Sequence, residues 1–259
     1  MIRRLLLSRH SILFVLMSLL ICGCAGKLFV GTPPPAGSSE SMNRSIEKKD
    51  RLIALAHMDL HTAQGHYPVR AALVLQRPSY LRLEILPVIG TPDFYLTASP
   101  DRMSIFIPSR AEFYSGNPSG ENLARFLPWA LSIEEIVMIL SSARSPFDDQ
   151  NVANDRYQEG NLIRVELKKP PGHSQTVWME KNGRVAKLVR YDSDGKEIYQ
   201  VRYADYMEDS PLAKSIRIQW ADSPISVSVK YSDLKVEQAT DLSVFELTAP
   251  AGIKTIQLD

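Results

Sequence analysis

The sequence predicts a mainly β fold: a curved antiparallel sheet forming an incomplete barrel, with a helical lid over one mouth. Three observations predict it. Twelve short segments beyond residue 50 alternate apolar and polar residues with a period of two. Turn-forming clusters separate them at even spacing, among them Lys181-Asn182-Gly183, Asp192-Ser193-Asp194-Gly195 and Asp222-Ser223-Pro224. A single stretch, 117–143, carries helical spacing instead. Evenly spaced strands of this kind form a meander that curls into a barrel or a strongly bent sheet.

The chain opens with Met1-Ile2-Arg3-Arg4, adds Arg9, and runs through Ile12–Ile21, where Ser18 is the one polar residue. A basic start followed by a short apolar run is a secretory signal, too short to span a bilayer, which takes about 20 residues. Both cysteines lie together at the end of this run, Cys22 and Cys24. A lone C-x-C pair cannot complete a four-thiolate zinc site, and a disulfide across it would constrain little. The stretch Ile21-Cys22-Gly23-Cys24 resembles the lipobox of bacterial lipoproteins. That resemblance implies cleavage after Gly23, acylation of Cys24 and loss of Cys22 with the signal. Two acyl chains already anchor stably, at about 0.8 kcal/mol per buried CH₂. No Asp follows Cys24, which in enteric-type lipoproteins implies the periplasmic face of the outer membrane.

Residues 24–44 read as the lipidated cysteine and a linker, stiffened by Pro33–Pro35 and loosened by Gly37-Ser38-Ser39. A flexible chain of about 20 residues reaches roughly 25 Å. Residues 45–259 are then one domain, long enough for a sizeable core. Without the signal the chain carries 27 basic and 29 acidic residues. Nucleic-acid binding needs a basic surplus and is not expected.

The strands follow in order. In LIALAHMDLHTAQG, Ala56, Met58 and Leu60 alternate with His57, Asp59 and His61. VRAALVLQ, YLRLEIL, DFYLTASP, RMSIFIP and AEFYSG continue the pattern. Six more follow the helical stretch: NLIRVELKK, QTVWMEKNG, RVAKLVRYDSDG, EIYQVRYADY, AKSIRIQWAD and ISVSVKYSDLKV. In the helical stretch Leu123, Phe126 and Leu127 form one apolar face and Ile133, Ile136, Val137 and Leu140 another, with Pro128 between them. Ser119 is placed to cap the first helix and Ser132 the second, where Glu135 completes a capping box. Both faces must bury against the sheet, so the pair is expected to lid it and to move.

Between two strands stands Pro87-Val88-Ile89-Gly90. Pro87 and Gly90 make a turn, and turn tips are solvated, yet Val88 and Ile89 are apolar. Burying an Ile contributes about 1.5–3 kcal/mol. Either the loop folds back under the lid, or it protrudes to meet a membrane or an acyl chain. His57 and His61 have the spacing of helical zinc ligands, but on a strand they stand outward beside Asp59 as solvated residues. His66 and His173 lie in turn-like sequence. No G-x-S-x-G, phosphate-binding loop, dinucleotide fingerprint or metal-ligand cluster occurs. Neither enzymatic activity nor a metal or cofactor is expected.

The lipobox, the strand–PVIGT–strand unit and the helices after AEFYSGNPSGENLARFL resemble the LolB-like lipoprotein receptors and their LolA-like carrier relatives. The close Phe245-x-x-x-x-Pro250-x-Gly252 resembles the same superfamily. The resemblance spans most of 45–259. It implies a half-barrel whose apolar cavity holds the acyl chains of lipoproteins and helps insert them into the outer membrane, with a periplasmic LolA-like carrier as partner. LolB-like loops read P-x-G-S/T, so PVIGT carries one inserted residue, Val88. The resemblance gives Ile89, with Val88 beside it, a membrane-inserting role. A structural adaptor of the same fold with a filled core, or a sensor of lipid or envelope stress, is the alternative.

Overall fold

The computed structural model describes residues 49–128, 131–144, 153–169 and 173–259. The signal sequence, Cys24 and the linker to residue 44 lie outside the described residues.

Six strands come first: β1 (Asp50–Thr62), β2 (Gly65–Gln76), β3 (Tyr80–Leu86), β4 (Phe94–Ala98), β5 (Met103–Ile107) and β6 (Glu112–Gly116). Two short helices follow, α1 (Gly120–Ala124) and α2 (Ile133–Leu140). Seven more strands are β7 (Ala153–Glu159), β8 (Leu162–Lys169), β9 (His173–Met179), β10 (Val185–Tyr191), β11 (Glu197–Tyr206), β12 (Ala213–Trp220) and β13 (Ser226–Gln238), and β14 (Thr255–Leu258) ends the chain. All fourteen join one curved open sheet in the order β14-β6-β5-β4-β3-β2-β1-β13-β12-β11-β10-β9-β8-β7. Two antiparallel meanders, β1–β6 and β7–β13, are thus joined by their longest members, β1 and β13.

Period-two alternation gives the sheet an apolar face and a polar one. Across the apolar face run in-register rows. Ala54, Leu73, Leu83, Leu96 and Ile105 form one, and Met58, Val229, Ile216 and Tyr203 another. The helices pack on this concave face. Ser232 bulges from β13, where the register shifts opposite Leu55 and Ala56, and its hydroxyl donates to the Leu55 carbonyl at 3.2 Å. A bulge bends the strand and strengthens its twist.

Two of the fourteen strands depart from the expected twelve. β7 (ANDRYQE) has too little apolar alternation to announce itself. β14 pairs parallel to β6, with Leu258 against Gly116. The chain reaches β14 by crossing the convex back of the first meander, from β1 to β6. Arg51 there donates to the Asp241 carbonyl and lies 5.6 Å from the Phe245 ring, and Arg82 donates to the Val244 carbonyl at 3.0 Å. A Cβ on Gly116 would overlap the Leu258 carbonyl oxygen and come within 2.6 Å of the Leu258 Cβ. Glycine is therefore required by close backbone approach. Gly116→Ala is expected to lose about 1–3 kcal/mol, the usual penalty of overpacking. Amide exchange should speed up at 255–258 before anywhere else in the sheet, and chemical denaturation with exchange measurements checks both.

Candidate functional site

Between the helices and the concave face lies a cavity of about 310 Å³. Its floor comes from both meanders: Met58 and Leu60 of β1, Val69 of β2, Leu83 and Ile85 of β3, Leu96 of β4, Ile218 of β12, and Val227 and Val229 of β13. Its roof is Phe126, Leu127, Pro128 and Leu131 from the inter-helix segment, with Ile136, Ile139 and Leu140 of α2. The Tyr67 hydroxyl is the one side-chain polar group among the lining residues, and Tyr67 is half-exposed. A site lined this way excludes charge and offers dispersion contacts to hydrocarbon. An apolar cavity of about 150 Å³ takes up benzene, so one twice that size suits a chain segment of roughly a dozen carbons.

The cavity lies toward one end of the sheet. Paired Ile85 and Phe94 line it at the root of the β3–β4 loop, and paired Leu60 and Tyr67 line it near the β1–β2 turn. Beyond Ile85 and Phe94 stand Pro87, Val88, Ile89 and Gly90, all exposed. Val88 is 93% and Ile89 91% exposed, far beyond any other large apolar residue described. Of the two placements open from sequence, the loop takes the outward one. Gly90 has φ +99°, a left-handed conformation that lets the chain leave the tip without turning it inward. The loop is braced at its base: Ser109 donates its backbone N–H and its hydroxyl to the two Asp93 carboxylate oxygens, at 2.7 and 2.6 Å. These bonds hold the Asp93 carboxyl below its usual range, with Arg110 adding to the effect.

The lid residues divide by role. Phe126, Leu127, Ile136 and Leu140 face the cavity, whereas Leu123, Ile133 and Val137 are packed into the core away from it. The caps form as the sequence predicts. Ser119 accepts from the Asn122 N–H, while Ser132 and Glu135 exchange backbone N–H bonds at 3.2 and 3.1 Å. The sequence did not reveal how firmly α2 is tied down. The free oxygen of Glu135 accepts from the Tyr199 hydroxyl at 2.9 Å and lies 3.4 Å from Arg190 Nε. At the other end the Tyr231 hydroxyl donates to the Leu140 carbonyl, Ala213 N–H to the Ser142 hydroxyl and Gln175 to the Arg144 carbonyl. These partners come from β9 to β13, and no local pattern reports them. α1 is held through Asn122, which donates to the Asn117 and Asp259 carbonyls.

His57 and His61 stand exposed on the convex face, where the His61 ring stacks on His66 at 4.2 Å and His66 reaches Asp59 at 3.1 Å. Among the described residues no group of three or more His, Cys, Asp or Glu is arranged to hold a metal ion.

The chain matches no known protein family and no curated protein in sequence. Its fold is nonetheless shared. A domain from Vibrio parahaemolyticus described as an outer membrane lipoprotein-sorting protein superposes with a TM-score of 0.59 at 16% identity, covering 80% of this chain and 93% of that one. A LolA superfamily protein from Nitrosomonas europaea gives 0.57 at 14% identity, covering 80% and 94%. A DUF1329 family protein from Desulfovibrio piger gives 0.61 at 13% identity, covering 83% and 98%. The curved open sheet with its helices is therefore a fold that this chain shares with these three proteins.

Burial pushes the phenols of Tyr199, Tyr203 and Tyr231 well above the ordinary tyrosine range, and the Glu135 carboxylate adds to this at Tyr199. In the unfolded chain they ionise near pH 10. Their contribution to stability is thus complete below pH 10 and is lost as pH rises above it. Three such groups give a slope of up to about 4 kcal/mol per pH unit. Urea unfolding should show constant stability from pH 7 to 9 and a steep fall beyond 10.

Proposed function

We propose that this chain is a LolB-like, lipid-anchored receptor that takes an acyl chain of a lipidated client into its cavity and releases it into the outer membrane. The observation that carries this reading is the pairing of an apolar-lined cavity with two almost fully exposed apolar residues on the loop rooted in its wall. Val88 and Ile89 gain by leaving water for hydrocarbon, and so bring the mouth of the cavity to the bilayer. The driving force is apolar burial moved from one site to another, with no bond made or broken. The chain is accordingly a binding protein and not an enzyme, and needs no cofactor. A soluble LolA-like carrier is the natural donor of such a client.

Ile89→Glu tests the reading. A tip this exposed contributes little to folding, so stability should change by less than about 0.5 kcal/mol. Loading of an acylated client should stay intact. Transfer from the loaded protein to liposomes should fall at least about tenfold, since Ile burial worth about 1.5–3 kcal/mol is replaced by a carboxylate that resists hydrocarbon. A large drop in melting temperature, or normal transfer, overturns the membrane-contact role. Failure of the parent to load any acylated client favours the adaptor reading, which the polar ties holding α2 support.

The anchor in this reading is Cys24, on the periplasmic face of the outer membrane. Cys24→Ala should move the protein from the membrane to the soluble periplasmic fraction, as read by fractionation and by the mass of the N-terminal peptide.

A further inference from the structure

The convex face of the sheet, opposite the cavity, carries its own pattern. Lys187, Arg202 and Arg217 are directly opposite one another on β10, β11 and β12. One pair further along the strands, Ser215 stands opposite Lys230, Lys230 opposite His57, and His57 opposite Arg70. Six neighbouring strands thus present an oblique stripe of five permanent cations and one imidazole. Arg202, Arg217, Lys230 and Arg70 are exposed, and none closes an ion pair among the described residues. Lys187 is held in the row by the face of Trp178, 4.9 Å from its ammonium. Beyond it the stripe ends, because Arg164 is taken up by Glu159 and Glu166 at 3.6 and 3.2 Å.

Like charges directly opposite on neighbouring strands are destabilising. Three in a row is a local conflict, which the fold does not require: any polar residue suits an exposed position. Such conflicts concentrate where a surface has a task. A shallow groove of about 440 Å³ runs along the stripe between His57, Arg202, Arg217 and Lys230, with the Ser215 and Ser228 hydroxyls in its wall.

The geometry points to this stripe as a docking surface for an acidic, extended segment of a partner protein. Its shape excludes broad anions. Strands lie about 4.8 Å apart, so the stripe runs about 24 Å across its six strands, the row Lys187–Arg202–Arg217 taking about 10 Å of that, and it is one side chain wide on each strand. Two carboxylates line the same groove, each already engaged: Asp59, which follows Ser228 in the row, is reached by His66 at 3.1 Å, and Asp205 accepts from the Ser215 hydroxyl at 2.8 Å. A flat lipid surface would meet those carboxylates together with the cations, and a convex face touches a plane only along a ridge. The groove also offers no large apolar side chain for insertion: Ala204 is exposed, but Ile216 and Val229 in its wall are buried from the other side. A single chain bearing carboxylates follows the cations from strand to strand and leaves Asp59 and Asp205 to their own partners, and the guanidinium forks of Arg202 and Arg217 match carboxylate oxygens two by two. The site is on the opposite face from the cavity, so a partner held there leaves the mouth and loop 87–93 free. The inference stands whether or not the cavity carries acyl chains.

The test compares the full chain with Arg202→Glu/Arg217→Glu. Binding of a fluorescein-labelled oligo-glutamate peptide is followed by anisotropy at low and high salt, and partition to vesicles of phosphatidylcholine with or without phosphatidylglycerol is followed in parallel. Any anchor contributes equally to both proteins. The parent should bind the peptide in a salt-sensitive manner, and the double variant should bind it at least about tenfold more weakly. The variant should melt no lower than the parent, because it relieves like-charge opposition. Absence of peptide binding by the parent, or equal binding by the variant, overturns the proposal. A stripe-dependent preference for phosphatidylglycerol vesicles over the peptide overturns it in favour of a membrane surface.

Discussion

The ladder between β1 and β13 is the contact on which the rest of the molecule depends. Each strand is thirteen residues long, and they pair along almost their whole length. Without this ladder the chain is two separate meanders, each with an apolar face and no matching half. With it, Met58 and Leu60 come beside Val227 and Val229, and the floor of the cavity becomes continuous. The Ser232 bulge lies in this ladder, so the bend that hollows the concave face is placed where the two halves meet. The helices occupy the connection between the meanders and are thereby delivered onto the concave side.

The lid is more fixed than its amphipathic pattern suggests. Two buried phenols, a buried guanidinium and a buried serine hydroxyl hold α2 at both ends. A buried ion pair such as Glu135–Arg190 adds little net stability, because desolvation offsets attraction, but breaking it leaves a charge stranded. Its effect is therefore to define one seating for the helix. What remains loosely held is the short inter-helix segment bearing Phe126, Leu127 and Pro128, which are half-buried or exposed. The part of the roof with the fewest polar ties is therefore this segment and not α2.

Much of this architecture was legible in the sequence where the signal is local. Period-two alternation located β3 to the residue, and Ser132 with Glu135 marked the start of α2 through a capping box that the structure forms. The polar face of β7 hid it, since a strand at the sheet's edge needs less apolar surface. β14 escaped because a parallel pairing between residues 113 and 258 leaves no turn signature between its partners. The joining of β1 to β13 was illegible for the same reason: strand register across some 170 residues is set by tertiary packing, and a slip of one residue would invert every side chain. At the loop, composition marked Val88 and Ile89 as anomalous but left their direction open. The brace between Asp93 and Ser109, sixteen residues apart, fixes the loop's base, and φ at Gly90 lets its tip stand away. Tyr199, Arg190, Tyr231 and Gln175 could not be found, because each acts through a helix that is remote in sequence.

The β1–β13 ladder also has a consequence for folding. β1 is the first strand made and β13 almost the last, so the contact that unites the sheet is among the most non-local in the chain. Closing so long a loop is unfavourable until the intervening strands have shortened the path, and topologies of this kind fold slowly. Until β13 arrives, β1 offers an unpaired edge with apolar residues on its inner side, a state open to mispairing with other chains. A chain with this topology gains from having its first meander kept apart from neighbours until synthesis is complete. Its yield should be limited by crowding of half-formed sheets more than by the stability of the finished one.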